Sequence, residues 1–189
     1  MRFSEKGKMD NMPVIMNEVK TMLDPSAQVE PIANPPKTFG AKDVTDLTWK
    51  HLMDAYSCTE CGRCTAACPA NITGKLLSPR KIMMDTRDRL EEVGKQIQLH
   101  GPDFSDNKSL LGDYITTEEL RACTTCNACV EECPVNISPL SIILELRRYT
   151  IMEQSDAPQE WNLMFNNMEN NQAPWQFNPA DRLNWKDEV

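Results

Sequence analysis

The residues best able to do chemistry in this chain are its eight cysteines, which form two copies of one pattern, C-x-x-C-x-x-C-x-x-x-C-P, with none left over. The first copy is Cys58, Cys61, Cys64, Cys68 and Pro69; the second is Cys123, Cys126, Cys129, Cys133 and Pro134. Thiolate is the iron ligand in iron–sulfur clusters, and each 4Fe–4S cube takes four. Spacings of two let three successive cysteines of a tight loop reach three irons, while the fourth comes from elsewhere. Proline after each fourth cysteine turns the chain away. The pattern predicts two 4Fe–4S clusters and single-electron chemistry. Two four-cysteine zinc sites would use pairs of C-x-x-C, and the third and fourth cysteines are not spaced for that. A disulfide framework needs an oxidising compartment.

The rest of the composition limits the context. At 189 residues, the chain fits one domain with extensions; 40% hydrophobic and 6% aromatic residues support a modest core. A net charge of −8 argues against a nucleic-acid surface and suits docking to a more basic partner. No stretch approaches the roughly 18 consecutive apolar residues that span a bilayer. The charged start Met1-Arg2-Phe3-Ser4-Glu5-Lys6 has no apolar signal core. Free cysteines without an export signal point to a reducing compartment. The expected location is the cytoplasm, including a peripheral place on the cytoplasmic face of the membrane within a complex. His51 and His100 lack any partner pattern for metal or catalysis, which leaves surface or core roles. The eleven methionines read as core filler. There is no phosphate-binding glycine loop and no nucleophile elbow, so no catalytic centre is expected.

The elements that must position the cysteines are helical. Residues 1–42 read as an extension broken by Pro13, Pro25, Pro31, Pro35 and Pro36, with one short helix from Val14 to Leu23. It is either a disordered tail or a partner-binding arm, the latter hinted at by Met12, Met16, Met22 and Leu23. A helical pattern starts at Asp43, with Leu47, His51 and Ala55 on one face, and leads into Cys58. After the first motif come Asn71-Ile72 and then Ser78-Pro79, an N-cap followed by proline at the first helical position. Ile82, Thr86, Leu90, Val93 and Ile97 continue that helix. Asp85 to Arg89 and Arg87 to Glu91 are four-residue charge pairs that read as its solvated face. Residues 98 to about 114 read as a loop. Thr116-x-x-Glu119 is a capping box opening a helix into Cys123. Asn136-Ile137 and Ser138-Pro139 then repeat the first half's signal. The halves match, so the expected fold is all-α, with pseudo-twofold helix–loop–helix halves over residues 43–153. Residues 154–189 form a C-terminal helix, through Trp161, Met164, Phe165 and Met168, and a docking tail around Trp175 and Trp185. Small residues between the cysteines, Gly62, Thr124, Thr125, Asn127 and Ala128, would let backbone N–H groups approach the clusters. Ile72 and Ile137 would shield them from water.

The cysteine run resembles that of two-cluster ferredoxins, in which the fourth cysteine ligates the cluster of the other motif. That resemblance implies Cys58, Cys61, Cys64 and Cys133 on one cluster, and Cys123, Cys126, Cys129 and Cys68 on the other. Short ferredoxins pack the motifs closer together between strands. Here 54 residues separate Cys68 from Cys123, and their pattern is helical. From about Val44 to Met152 the chain is similar to the α-helical ferredoxin domain found in the family of heterodisulfide reductase C subunits. Related domains occur in iron–sulfur subunits of anaerobic glycerol-3-phosphate, glycolate and lactate oxidoreductases, and in the C-terminal half of the succinate dehydrogenase iron–sulfur subunit. The chain has no cysteines for the extra 2Fe–2S domain of the last, nor for the C-C-G domains fused in many relatives. Pro174-Trp175 looks similar to a segment that follows the dicluster domain in fused relatives. The resemblance implies a non-catalytic electron-transfer subunit of a multi-subunit oxidoreductase. It would relay electrons between a flavoprotein and a C-C-G-domain iron–sulfur subunit or a quinone-reactive partner. A free diffusible ferredoxin and an iron–sulfur redox sensor are the competing readings.

Overall fold

A computed structural model describes residues 13–28, 38–176 and 178–187; the expectations for Met12, Pro31, Pro35 and Pro36 lie outside them. Among the described residues there are helices and one isolated β-bridge, Leu111 to Ile115, but no strand. The all-α expectation holds. The chain divides into two units, Met1–Glu153 and Gln154–Val189.

In the first unit, α1 (Pro13–Leu23) covers the short N-terminal helix foreseen from the sequence. The helix expected from Asp43 is instead broken in two. Asp43 caps a 3-10 turn, Val44–Asp46, through a reciprocal capping box with Asp46, and α2 (Trp49–Tyr56) starts only after Thr48. Next come α3 (Arg63–Ala66) and α4 (Pro69–Ile72). The long α5 (Pro79–His100) is capped by the Ser78 side chain, which accepts from the Lys81 N–H, and stops at Gly101 with φ +96°. Then α6 (Thr117–Ala122) opens with the Thr116/Glu119 capping box, followed by α7 (Ala128–Glu131). Last is α8 (Pro139–Arg148), capped by Ser138 and continued by a π-helical turn, Tyr149–Glu153.

The core lies where α5 packs on α2 and α8. Leu77, Ile82, Met83, Ile115, Leu120, Ile142, Ile143 and Leu146 are all buried there. Each such side chain contributes about 1.5–3 kcal/mol by leaving water. The segment entering from residue 38 is pinned to α8, where the Ala41 N–H donates to the Glu145 carbonyl at 3.1 Å. Gly40 permits this approach: it holds φ +77°, and a Cβ there would lie 2.3 Å from the Glu145 oxygen.

Polar groups also cross-link this core. Arg89 does not lie on a solvated face, and it does not pair with Asp85. It is buried, and its guanidinium binds Asp43 (Nη2 to Oδ2, 2.7 Å), Asp106 (Nη1 to Oδ2, 2.6 Å) and the Lys108 carbonyl (2.8 Å). Arg87 likewise pairs with Glu60 at 2.7 Å, not with Glu91. Helical spacing alone pointed to local pairs; tertiary contacts offered better partners.

His51 takes the core role, with Nδ1 3.1 Å from the Thr48 hydroxyl. Burial, aided by Lys50, lowers its pKa from 6.5 to about 4, and Asp54 only partly opposes this. The folded chain then holds fewer protons than the unfolded chain between these values, so stability falls as pH drops through that window. The expected loss from pH 7 to pH 4 is about 3 kcal/mol from this group. A His51→Leu variant should show a flatter Tm profile than wild type between pH 7 and pH 4. Parallel profiles would count against the assignment.

In the second unit, α9 (Gln159–Asn171) carries the expected helix, and residues Pro179–Lys186 wind into a 3-10 helix within the expected docking tail. Asn167 and Asn171 side chains donate to the carbonyls of Pro174 and Trp175, which folds the Pro-Trp segment back on α9. The Trp175 and Trp185 rings stay exposed.

Candidate iron–sulfur site

Each cysteine loop is shaped by two residues in left-handed backbone conformation. Glu60 (φ 55°) and Gly62 (φ 80°) bend the first loop; Thr125 (φ 55°) and Asn127 (φ 65°) bend the second at the equivalent places. The chain then enters a one-turn helix, α3 or α7, that carries the third cysteine. These two short helices pack against each other. Glycine and asparagine tolerate this backbone best.

Two recesses result. One is lined by Cys58, Cys61, Cys64 and Cys133, and encloses about 340 Å³ of free space, part of it continuous with solvent. The other is lined by Cys68, Cys123, Cys126 and Cys129, with about 310 Å³. Three cysteines of each recess thus come from one motif and the fourth from the other. The crossing extends to the walls. Pro134, Ile137 and Pro139 follow Cys133 into the first recess, while Leu77 and Pro79 follow Cys68 into the second. Ile137 shields the first recess as expected, but Ile72 is 68% exposed and shields nothing. Five more residues separate Ile72 from Ser78 than Ile137 from Ser138, so Leu77 takes the place that Ile72 was expected to fill.

The carboxylates ahead of each loop cross over in the same way. Asp54, four residues before Cys58, accepts from the backbone N–H of Ser138 at the start of α8, at 3.3 Å. Glu119, four residues before Cys123, pairs with Lys81 in the first turn of α5, at 2.9 Å. Each loop is therefore tied to the helix that leaves the opposite loop. The recesses meet where Cys64 packs against the small cluster of Cys129, Val130 and Leu140.

The donor chemistry fits iron. Burial pushes the Cys129 thiol up to about 12, with Cys123, Cys64, Cys68 and Cys126 adding to the rise. Burial likewise raises Cys64 and Cys123. Thiols this crowded and dry give up their protons only to a strongly positive centre, which an iron–sulfide core supplies. The Thr125 N–H points at the Cys123 sulfur at 3.4 Å, a contact of the kind expected from the small residues between the cysteines. At the mouths, Cys61 and Cys126 are exposed.

Several residues that hold this site were not foreseen from the sequence. Arg147 donates to the carbonyls of Leu120 and Cys123, which fixes the end of α6 as it enters the second loop. Arg80 lines the first recess. Counting from the Ser-Pro starts would have matched Arg87 with Arg147, and counting back from Cys58 and Cys123 would have matched Asp54 with Glu119.

An all-helical fold with two crossed four-cysteine recesses defines the helical class of two-cluster iron–sulfur domains. Residues 57–137 match the family model of a 4Fe-4S dicluster domain, and residues 16–73 match a second model of the same description. The two matches share one description and together run from residue 16 to residue 137, so the chain carries a 4Fe–4S dicluster domain, and its cofactor is two 4Fe–4S clusters. Over 81% of its length it is 33% identical to the probable iron-sulfur-binding oxidoreductase FadF of Bacillus subtilis, covering 26% of that protein. Over 80% it is 36% identical to the EtfAB:quinone oxidoreductase of Syntrophomonas wolfei, covering 24%. Over 57% it is 34% identical to the C subunit of the ferredoxin/F(420)H(2)-dependent CoB-CoM heterodisulfide reductase of Methanosarcina acetivorans, covering 53%. The chain thus spans about a quarter of the first two relatives and about half of the third. No described helix is long and apolar enough to cross a membrane.

Proposed function

We propose that the chain is an electron-relay element of a larger oxidoreductase, passing single electrons through its two clusters between a flavoprotein and a second redox module. That module is a C-C-G-domain iron–sulfur subunit or a quinone-reactive partner. The complex sits in the cytoplasm or peripherally on the cytoplasmic face of the membrane. The observation that carries this reading is the pair of recesses, adjoining inside at Cys64 and Cys129, each with one cysteine at its mouth. Such a layout gives an entry, a short internal step and an exit. In this reading Cys58, Cys61, Cys64 and Cys133 hold one cluster, and Cys123, Cys126, Cys129 and Cys68 hold the other, as the lining of the recesses supports. The clusters supply the one-electron chemistry. The residues of the chain bind them, exclude water and set their surroundings. The names of two relatives, an EtfAB:quinone oxidoreductase and a heterodisulfide reductase subunit, support the same role.

Gentle anaerobic purification from the native source tests the relay. The expected result is a stoichiometric complex containing a flavin-bearing chain or a C-C-G chain that oxidises or reduces the clusters within turnover time. A chain that purifies alone and exchanges electrons only with small diffusible carriers would make it a free ferredoxin. A chain whose loaded form binds DNA in one redox state only would make it a sensor.

A further inference from the structure

The two halves are alike in their cysteines, prolines and caps, but not in the charge placed behind the loops. Arg87 and Arg147 occupy equivalent positions, each nine residues after the capping serine, Ser78 or Ser138. Arg87 reaches the first cysteine loop and meets a carboxylate there, Glu60, at 2.7 Å. Thr125 stands at the place of Glu60 in the second loop. Arg147 accordingly binds neutral acceptors, the carbonyls of Leu120 and of the cysteine Cys123. Among the described residues its hydrogen bonds go to carbonyls and no carboxylate pairs with it, and it is half-buried, where water screens its charge poorly. A cation in this setting is costly unless an anion lies nearby. Four thiolates around an iron–sulfide core supply one, since together they outweigh the positive charge of the core. A further cation at a recess, Arg80, lines the first one but is itself exposed to solvent, which weakens its field.

We infer that Arg147 is a potential-setting residue: it favours the reduced state of the cluster in the recess of Cys68, Cys123, Cys126 and Cys129, whereas Glu60 cancels its twin Arg87 at the other recess. An electron shared between the two centres is thereby drawn toward the second. The inference rests on the grouping of cysteines by recess proposed above, and it does not require any partner chain.

The test is a redox titration of the purified, cluster-loaded chain, with dithionite supplying one electron per centre through mediators and electron paramagnetic resonance counting reduced clusters. Arg147→Gln should make one centre about tenfold harder to reduce at fixed potential, a downward shift of about 59 mV for one electron. Arg147→Lys should restore much of it. Thr125→Glu adds a carboxylate at an exposed position whose equivalent already carries glutamate. It should lower the same step without touching Arg147, so the answer does not depend on Arg147→Gln retaining its clusters. Glu60→Gln should raise the other step. Unchanged midpoints in both Arg147→Gln and Thr125→Glu would overturn the inference, as would Thr125→Glu and Glu60→Gln acting on one and the same step. Iron content measured alongside shows that the clusters are retained, while a Cys133→Ala variant tests the grouping of the ligands separately: full iron with unmoved midpoints sinks the role of Arg147 alone.

Discussion

A Cys133→Ala chain is expected to keep about half of its iron, and the centre it loses should be the one built on the first motif. The reason is the crossed layout: Cys133 belongs by sequence to the second loop but lines the recess of Cys58, Cys61 and Cys64. Removing one of four thiolates leaves a site that holds a damaged cube at best, while the other recess keeps all four of its cysteines. Iron and sulfide analysis gives the count, and electron paramagnetic resonance of the reduced protein gives the identity. A Cys61→Ala chain should show the same surviving signal, because Cys61 lines the same recess. If Cys133→Ala instead matches Cys126→Ala, each motif holds its own cluster and the crossed assignment is wrong. The reciprocal variant, Cys68→Ala, should spare the first centre and lose the second.

Replacing Arg89 by leucine should be the most damaging change away from the cysteines, costing about 3–5 kcal/mol and lowering the apparent Tm by roughly 10 °C. Arg89 is 2% exposed and joins three segments: the capped turn at Asp43, the middle of α5, and the loop at Asp106 and Lys108. Leucine would leave the carboxylates of Asp43 and Asp106 facing each other across an apolar side chain. The same geometry predicts an acid sensitivity. Hydrogen bonds from Arg89 hold the Asp106 carboxyl well below the usual carboxylate range. Its contribution is therefore complete above the ordinary carboxylate pKa and is lost as pH falls toward the lower folded value. Asp106→Asn should cost less than Arg89→Leu, because Asp106 is partly exposed and Asp43 still binds the guanidinium. A Tm for Arg89→Leu within a degree or two of wild type would show that the network adds no net stability.

Much of the fold was legible because its signals are local. Ser78-Pro79, Ser138-Pro139 and the Thr116/Glu119 box start helices through side chains that bond their own first turn, so neighbouring residues suffice to reveal them. The 3-10 break after Asp43 was not legible. Asp43 is committed to capping and to Arg89, a residue 46 positions away. Ile72 was not legible as exposed because the insertion before Ser78 shifts the spacing, and only packing shows that Leu77 stands in its place.

The sequence by itself determined the chemistry: eight thiols at fixed spacing, two prolines and a repeated helix start specify two 4Fe–4S clusters in an all-helical frame. Ligand type and loop spacing are properties of short segments, so no fold is needed to read them. The tertiary structure alone decided which charges face each loop. Arg87 and Arg147 are equivalent along the chain, yet one is neutralised by Glu60 and the other stands against the Cys123 carbonyl. Electrostatics depends on distances through space, and those are set only when the two halves pack.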